Sequence, residues 1–461
     1  MSVGWSCLPL LPLGCILEHL SLEDALAAMS TSRHWRSGLL MYEGRRKTLK
    51  LNAKQLDKCA FLARIFKKHA NVLQIHVADC SRAELTQFMH KIMPQFFDTL
   101  KLLEIVFIGP GCVQMAHSNV KLDRVMIESL LFKHSHSIRN FALLNCEMDA
   151  VDDKKPRQIH GNVKLYSRGL RFDPSSPADA VLSRFNAEAM MFSSLQHILV
   201  DYDLVTTDTL ETLSQLTSFS QLSIIICNKK LAHSVDWRRV QTFYPNGLDV
   251  AVNLIGLPEK KIDEVMETVL VEGLTLTSLK LLFCKTLHPP LIKHVVRLHK
   301  DSLREFVVVD APHESCPHVI RSLRAPEYES CNVNPIILMC WQCTQLRRLV
   351  LHGYWVWQYD VLGFVRLRKS LCELEISAVY RRQRCPQQAA NMARVHVGDA
   401  PATLDASFVR QVNEYTEFLW KPCSWARLHP ALRARAAPAA RAAYVLREAR
   451  RPLGVTLHSH K

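Results

Sequence analysis

The chain has 461 residues, of which 48% are hydrophobic, and its formal net charge is +15 with histidine neutral. This composition can form a large core, and no apolar run reaches the roughly 18 residues of a membrane span, so we expect no membrane partner. The amino terminus lacks the basic segment of a secretory signal. The 15 cysteines form no compact framework, which predicts reduced thiols and a cytoplasmic or nuclear location.

The first forty residues predict short helices. Ile16, Leu17 and Leu20 share one helical face. Ser21 is a predicted N-cap for a second helix, with Asp24 three residues later. A module of this size cannot bury all of its apolar side chains, so part of its surface is expected to dock on a partner.

The stretch LPLLPLGCILEHLSLEDALAAMSTSRHWRSGLL resembles an F-box, although Leu11 stands where the family has an acid and Pro12 where a helix former is usual. The resemblance implies binding to the adaptor Skp1 and, through it, to a cullin–RING ubiquitin ligase. The alternative is a helical cap on the array that follows. The positions that the resemblance assigns to Skp1 contact are Leu8, Pro9, Ile16, Leu17, Leu20, Leu26 and Trp35.

A nine-residue pattern, L-x-x-L-x-L-x-x-C with relaxed apolar types, recurs beyond this module and is typical of leucine-rich repeats. Each copy predicts a short strand that must stack on its neighbours to bury its apolar face. The predicted fold class is α/β: an N-terminal helical F-box, then an irregular leucine-rich-repeat solenoid with a parallel sheet on its concave face. The clear copies begin at Val72, Ile138, Phe219 and Leu276, and the weaker ones at Leu102, Leu195, Pro245, Leu303, Leu346 and Leu371.

The predicted domains are an F-box over 1–45, a repeat region over 46–400 and a C-terminal segment over 401–461. A polar, charged stretch at about 149–180 predicts a surface loop inserted between repeats. From Trp425 onward seven arginines accompany a single acid, Glu448. This Arg/Ala-rich tail is predicted to be flexible or locally helical.

Strand side chains alternate, so the third, fifth and seventh positions of each copy are predicted to face the concave side. This face could be an open groove for an apolar peptide or helix, or it could be covered by the chain's own segment near Phe408–Trp425. Polar residues at the same positions are His76, Asp201, Lys280, Arg348, Glu373 and Glu375. The apolar candidates for substrate contact are Val106, Ile108, Leu144, Leu199, Ile225, Leu282, Val307, Val309 and Val350.

Four aromatic residues, Tyr354, Trp355, Trp357 and Tyr359, follow the strand predicted near residue 350. They predict either a binding hot spot or packing against an adjacent helix. The surrounding stretch, NPIILMCWQCTQLRRLVLHGYWVWQYDVLGFVRLRKSLCELEIS, resembles part of an F-box protein. That resemblance includes Tyr354 and Trp357 but not Trp355, which makes Trp355 the candidate for substrate contact.

No pattern of residues predicts catalysis, a metal site or a cofactor. Cys340 and Cys343 form a lone pair, whereas a structural zinc site needs four ligands. The residues at the ninth repeat position are predicted to be structural: Cys80, Cys146, Cys227, Asn253 and Cys284. We therefore predict a non-catalytic substrate-recognition subunit of a Skp1–cullin–F-box ligase. The alternatives are a ligase-independent repeat scaffold and a nucleic-acid binder, and the apolar concave positions argue against the second.

Overall fold

The computed structural model divides the chain into two compact units, the first ending near residue 195 and the second comprising mainly the residues beyond it. It describes residues 8–20, 22–41, 48–78, 80–109, 121–144, 146–148, 194–227, 231, 233–284, 288–310, 321–322, 334–380, 406–421, 428–433 and 436–451. The predicted cap at Ser21 and the predicted loop at 149–180 lie outside these residues. Within these ranges, no helix has the length and hydropathy to cross a membrane.

Three helices open the first unit: α1 (Leu10–His19), α2 (Leu22–Thr31) and α3 (Arg33–Met41). The first begins before Pro12, because a proline in the first helical turn removes no intrahelical hydrogen bond. Ser32 caps the third helix, and its Oγ accepts a hydrogen bond from the Trp35 backbone N–H at 3.1 Å. The buried apolar side chains of the three helices are Leu13, Leu17, Ala25, Met29 and Leu39.

Parallel strands joined by helices make up the rest of the described part of the first unit. Its four longer strands pair in parallel in chain order, which confirms the predicted strand-and-helix alternation. Its strands are β1 (Thr48–Asn52), β2 (Val72–His76), β3 (Glu104–Ile108) and β5 (Asn140–Leu144), with a short pair of β4 (Lys121–Leu122) and β6 (Glu147–Met148); its helices are α4 (Leu56–Phe66), α5 (Arg82–Lys91) and α6 (Arg124–Lys133).

The second unit repeats this construction. Its successive strands are parallel, so the α/β fold class with N-terminal helices is confirmed. The strands are β7 (His197–Asp201), β8 (Gln221–Ile226), β9 (Asp249–Ile255), β10 (Leu276–Leu282), β11 (Glu305–Val309), β12 (Arg321–Ser322), β13 (Arg348–Trp357) and β14 (Glu373–Tyr380). The helices are α7 (Thr207–Leu213), α8 (Trp237–Phe243), α9 (Glu259–Thr268), α10 (Pro289–His299), α11 (Pro335–Gln342), α12 (Gln358–Leu367), α13 (Ala406–Asn413) and α14 (Pro438–Ala449).

Each of the ten predicted repeat copies overlaps a strand, but the register of the copy at Val72 is wrong by two residues. Strand β2 pairs Leu73 with Ile105 of β3. Because Ile105 is the fourth position of its own copy, the fourth position in β2 is Leu73, and the copy begins at Ala70. Cys80 is therefore not its ninth position.

The copy at Pro245 is also out of register. Asn253 of β9 pairs with Ile225 of β8 and with Lys280 of β10, so it lies within the strand rather than after it. Asn253 is fully buried and its Nδ2 donates a hydrogen bond to the Ile224 carbonyl at 3.1 Å. Strand side chains repeat every two residues, so a shift of two leaves the apolar pattern unchanged, and the pattern cannot reveal it.

Gly353 interrupts β13 with a left-handed backbone, at φ +85°. A Cβ atom built there would overlap the backbone carbonyl of Asp310. The pairing of β13 with β14 also shifts register between Leu351 and Trp355. The glycine in the HGYWVW stretch is thus required by both backbone conformation and space.

Replacing Gly353 with alanine is expected to lower the free energy of unfolding by about 3 kcal/mol, since it adds a steric overlap to the usual left-handed penalty of roughly 1–2 kcal/mol. Urea denaturation measures the loss. Gly247→Ala is the matched control, because Gly247 has φ +81° but a Cβ atom at that position would have no other atom within 4 Å. Equal losses in the two variants would contradict the steric account.

Candidate functional site

The surface of the three N-terminal helices is the first candidate site. Of the residues predicted to contact Skp1, Leu17 is only 1% exposed and belongs to the core of the module. Pro9 is exposed, and the other five are half-buried: Leu8, Ile16, Leu20, Leu26 and Trp35. A hydrogen bond from His34 Nε2 to the Leu8 carbonyl, at 2.6 Å, ties the segment before α1 to α3.

Two further leucines on α1 belong to this surface. Leu10 is 54% exposed and Leu11 is 78% exposed. In the sequence, Leu11 stood out only as a departure from the family pattern, and Leu10 was not predicted to take part. Large apolar side chains exposed side by side are typical of a surface that a partner covers.

The concave face is the second candidate site, and in the second unit its positions fall into lateral rows. One row aligns Ser278, Glu305, Arg348 and Glu373 across β10, β11, β13 and β14. The neighbouring row aligns Lys280, Val307, Val350 and Glu375. The first row is therefore entirely polar, whereas the second has two valines between a lysine and a glutamate.

Every predicted apolar contact of the concave face is buried, and none exceeds 8% exposure. For Trp355, only the backbone is described. In the described structure these side chains therefore cannot reach a substrate unless their cover moves. The buried candidates are Val106, Ile108, Leu144, Leu199, Ile225, Leu282, Val307, Val309 and Val350.

The C-terminal helix α14 lies on the concave side of β10–β14. Lys280 Nζ donates a hydrogen bond to the Glu448 backbone carbonyl at 2.6 Å. Near the carboxyl end of β10, Tyr444 meets Phe283 edge to face, with ring centroids 6.3 Å apart. The helix therefore runs from the carboxyl end of β10 towards the amino ends of the strands. Part of the Arg-rich tail is thus an ordered helix in contact with the sheet.

A network of buried charges holds this helix. Arg348 Nη1 lies 3.1 Å from Glu448 Oε2, and Arg348 Nε donates to Glu373 Oε1 at 2.8 Å. Arg451, just beyond the helix, donates to Glu373 Oε1 at 3.1 Å. Lys280 Nζ lies 3.5 Å from Glu305 Oε2, which also accepts a hydrogen bond from Ser278 Oγ at 2.9 Å. Three cations thus meet three carboxylates, as buried charges require.

The electrostatics of the network follow from this pairing. Burial lowers the pKa of the Lys280 ammonium, although Glu305 and Glu448 act in the opposite direction. For Glu448, burial alone would raise the pKa of the carboxyl, but Arg348 and Lys280 hold it below its ordinary value of 4.5. The same carboxylates raise the pKa of Arg348 against the effect of its burial. Glu448 is therefore ionised at neutral pH.

The segment near Phe408–Trp425 was predicted above as a possible cover, and its described part, residues 406–421, lies elsewhere. Helix α13 packs on the crossover helix α12, and the guanidinium of Arg366 lies over the Tyr415 ring at 5.0 Å. Phe408 and Trp420 are buried against each other with ring centroids 6.0 Å apart. This segment extends the helix layer, and the cover on β10–β14 is α14 instead.

The aromatic residues after residue 353 differ in their burial. Tyr354 is buried, and its hydroxyl donates to Asp310 Oδ2 at 3.1 Å. Trp357 is half-buried and meets the exposed Tyr359 edge to face at 4.9 Å. The Trp355 contact stays a prediction.

Cys340 and Cys343 are fully buried on and just after α11. Burial raises the pKa of both thiols, to about 12 for Cys343. Arg368 caps the same helix end, and its Nη2 donates to the Cys340 carbonyl at 2.8 Å. Across the described residues, no three His, Cys, Asp or Glu side chains are grouped so as to hold a metal ion.

Comparison with known proteins places an F-box domain at residues 5–40. F-box only protein 33 of Homo sapiens and that of Mus musculus are each 44% identical to the chain over 39 residues. The aligned part is 8% of this chain and 7% of either relative. The F-box resemblance is confirmed.

The charge network predicts a specific acid sensitivity. Because the pKa of Glu448 is lowered on folding, the stability it contributes is present above pH 4.5 and is lost as the pH falls through the folded-state value. Glu448→Gln should lower the free energy of unfolding by about 2 kcal/mol at pH 7. The difference between wild type and variant should narrow below pH 4.5, as measured by urea denaturation.

Burial lowers the pKa of His197 and His299 from 6.5 to about 4, so both chains also lose stability as the pH falls from about 6.5 to about 4. The contribution of Glu448 is therefore measured only by the difference in the free energy of unfolding between wild type and Glu448→Gln. A difference that stays constant down to pH 3 would contradict the assignment.

The cysteine pair predicts insensitivity to chelators. Because Cys340 and Cys343 are expected to be core thiols, EDTA should leave the melting temperature unchanged, and elemental analysis should find no stoichiometric zinc. One zinc ion per chain, lost together with stability on chelation, would show that this prediction is wrong.

Proposed function

We propose that this chain is a substrate-recognition subunit of a Skp1–cullin–F-box ubiquitin ligase and that it catalyses no reaction itself. The observation that carries the proposal is the F-box domain at residues 5–40, whose helices expose Leu10 and Leu11 to solvent. The F-box domain supports an adaptor role. Skp1 as the bound adaptor and a protein substrate on the repeats are the proposed parts.

The N-terminal surface suits a stable protein interface. Specific interfaces have an apolar centre in which a few residues carry most of the binding energy. Leu11 and Leu20 offer apolar area, and Trp35 adds a half-buried aromatic side chain. Leu17 would contribute indirectly, because it holds the helices in place from within their core.

The repeat arrays would hold the substrate. Fixing a substrate beside a charged conjugating enzyme raises the effective concentration of the reacting groups, which is how a non-catalytic subunit accelerates a transfer. Rigid strand-and-helix arrays are suited to this task because they fix the distance between two bound partners. The subunit would act in the cytoplasm or nucleus, where thiols such as Cys340 stay reduced.

The alternative is a repeat scaffold that acts without a ligase, its N-terminal helices serving only as a cap. Co-purification of Skp1 discriminates between the two. A cap would have no reason to expose Leu11, since capping surfaces facing solvent are polar.

Changing Leu20 and Trp35 to alanine together is expected to reduce Skp1 co-purification at least about 30-fold, because truncating a central interface residue costs roughly 1–2 kcal/mol or more. Quantitative pulldown from cells, with the same amount of each variant, measures the loss.

Met41→Ala is the matched control, since Met41 is 70% exposed on α3 and lies outside the F-box match. Thermal unfolding should show the repeat arrays intact in both variants. Undiminished recovery of Skp1 by a folded double variant would contradict the proposed function.

A further inference from the structure

We propose that the concave groove over β10–β14 is a helix-binding site that α14 fills in the free chain. In its place the groove accepts a substrate helix with an acidic residue in its last turn and an aromatic residue one turn earlier. The proposal that α14 fills a helix-binding groove rests on the geometry of the groove alone. Only the identification of the incoming helix as a substrate rests on the proposed function.

The acidic subsite holds a carboxylate at a position in the helix that is unfavourable for a negative charge. Glu448 lies in the last turn of α14, where the negative end of the helix dipole disfavours a carboxylate. The sheet supplies what the helix lacks: Arg348 meets the Glu448 carboxylate at 3.1 Å, and Lys280 Nζ meets its backbone carbonyl at 2.6 Å. The two cations recognise a helix end and an acid at the same time, a combination that few helices present.

The aromatic subsite lies one turn away. Tyr444 is 2% exposed and packs between two rings, with centroids 6.3 Å from Phe283 and 5.0 Å from His429. Phe283 has φ +59°, a left-handed conformation that is rare and strained for a bulky residue. Such strain concentrates where a side chain is held for a ligand, and here it aims the ring at Tyr444.

The cover is suited to displacement. Five of the twelve residues of α14 are alanine, and its buried apolar area is concentrated in Tyr444, Val445 and Leu446. Its contacts with the sheet include buried ion pairs, which stabilise little because the cost of desolvation offsets the attraction. Displacement of α14 removes the Glu448 carboxylate from the charge network. An incoming helix that supplies an acid and an aromatic residue at the same spacing would replace that carboxylate.

The test uses the full chain and a fluorescent synthetic peptide of residues 436–451. Apparent affinity scales with the fraction of molecules whose groove is open. The wild-type chain should therefore bind the peptide weakly, and the Glu448→Gln chain should bind it at least about tenfold more tightly, by fluorescence anisotropy. A peptide carrying the same Glu448→Gln change should lose that gain.

Ala443→Gln is the matched control: it places a glutamine at an exposed position of the same helix and leaves Glu448 and its ion pairs in place, so binding should stay at the wild-type level. A folded Glu448→Gln chain that binds the peptide no better than wild type would overturn the proposal. Skp1 co-purification should be the same in all of these chains, so a failure here is distinguishable from a failure of the proposed function.

If Glu448→Gln does not fold, hydrogen exchange on the wild-type chain tests whether α14 can leave the groove. A displaceable α14 should exchange its amides through a local opening, faster than β10 and β13. Exchange of α14 amides only together with those strands would mark the helix as a fixed part of the core and would overturn the proposal.

Discussion

Burial of the strands on both faces is the constraint on which this fold depends. Strands such as β3 and β11 are buried at every position, as in parallel sheets covered on two sides. The crossover helices cover one face of each array. The other face needs a cover of its own, and over β10–β14 that cover is α14. The position of the C-terminal helix is therefore a consequence of how the strands are built.

The strands themselves could be predicted from local periodicity, because apolar residues at fixed spacing reflect one shared interior. Strand β1 was not predicted, because Arg46 and Lys54 occupy the first and ninth positions of its copy, where the pattern has an apolar residue and a cysteine. Its Leu49 and Leu51 are nevertheless fully buried. The two shifted copies, at Val72 and Pro245, failed for a different reason. Period two cannot distinguish a register from one displaced by two residues, and only the pairing with a neighbouring strand settles it.

The role of the tail could not be predicted from composition. An Arg- and Ala-rich segment is usually solvated, and nothing in its own sequence shows that Glu448 meets Lys280, 168 residues away. A signal was nevertheless present in the strands. Lys280, Arg348 and Glu373 occupy concave positions, and charges on a buried face need partners. The strands supply two cations, Lys280 and Arg348, and two carboxylates, Glu305 and Glu373, whereas Glu448 and Arg451 come from the tail. The polar residues of the strands thus indicate a covered, charged face, but they do not identify the segment that covers it.

The two candidate surfaces differ in their exposure to solvent when no partner is bound. The N-terminal helices leave Leu10 and Leu11 in water, a cost that association removes, so this surface favours continuous occupancy. The concave groove is already filled, and its charges Arg348 and Glu448 are already paired. A competitor gains little there unless it reproduces the same charge at the same place. Under the proposed function, association through the N-terminal helices would be constitutive, whereas access to the groove would depend on the chemistry of the incoming helix.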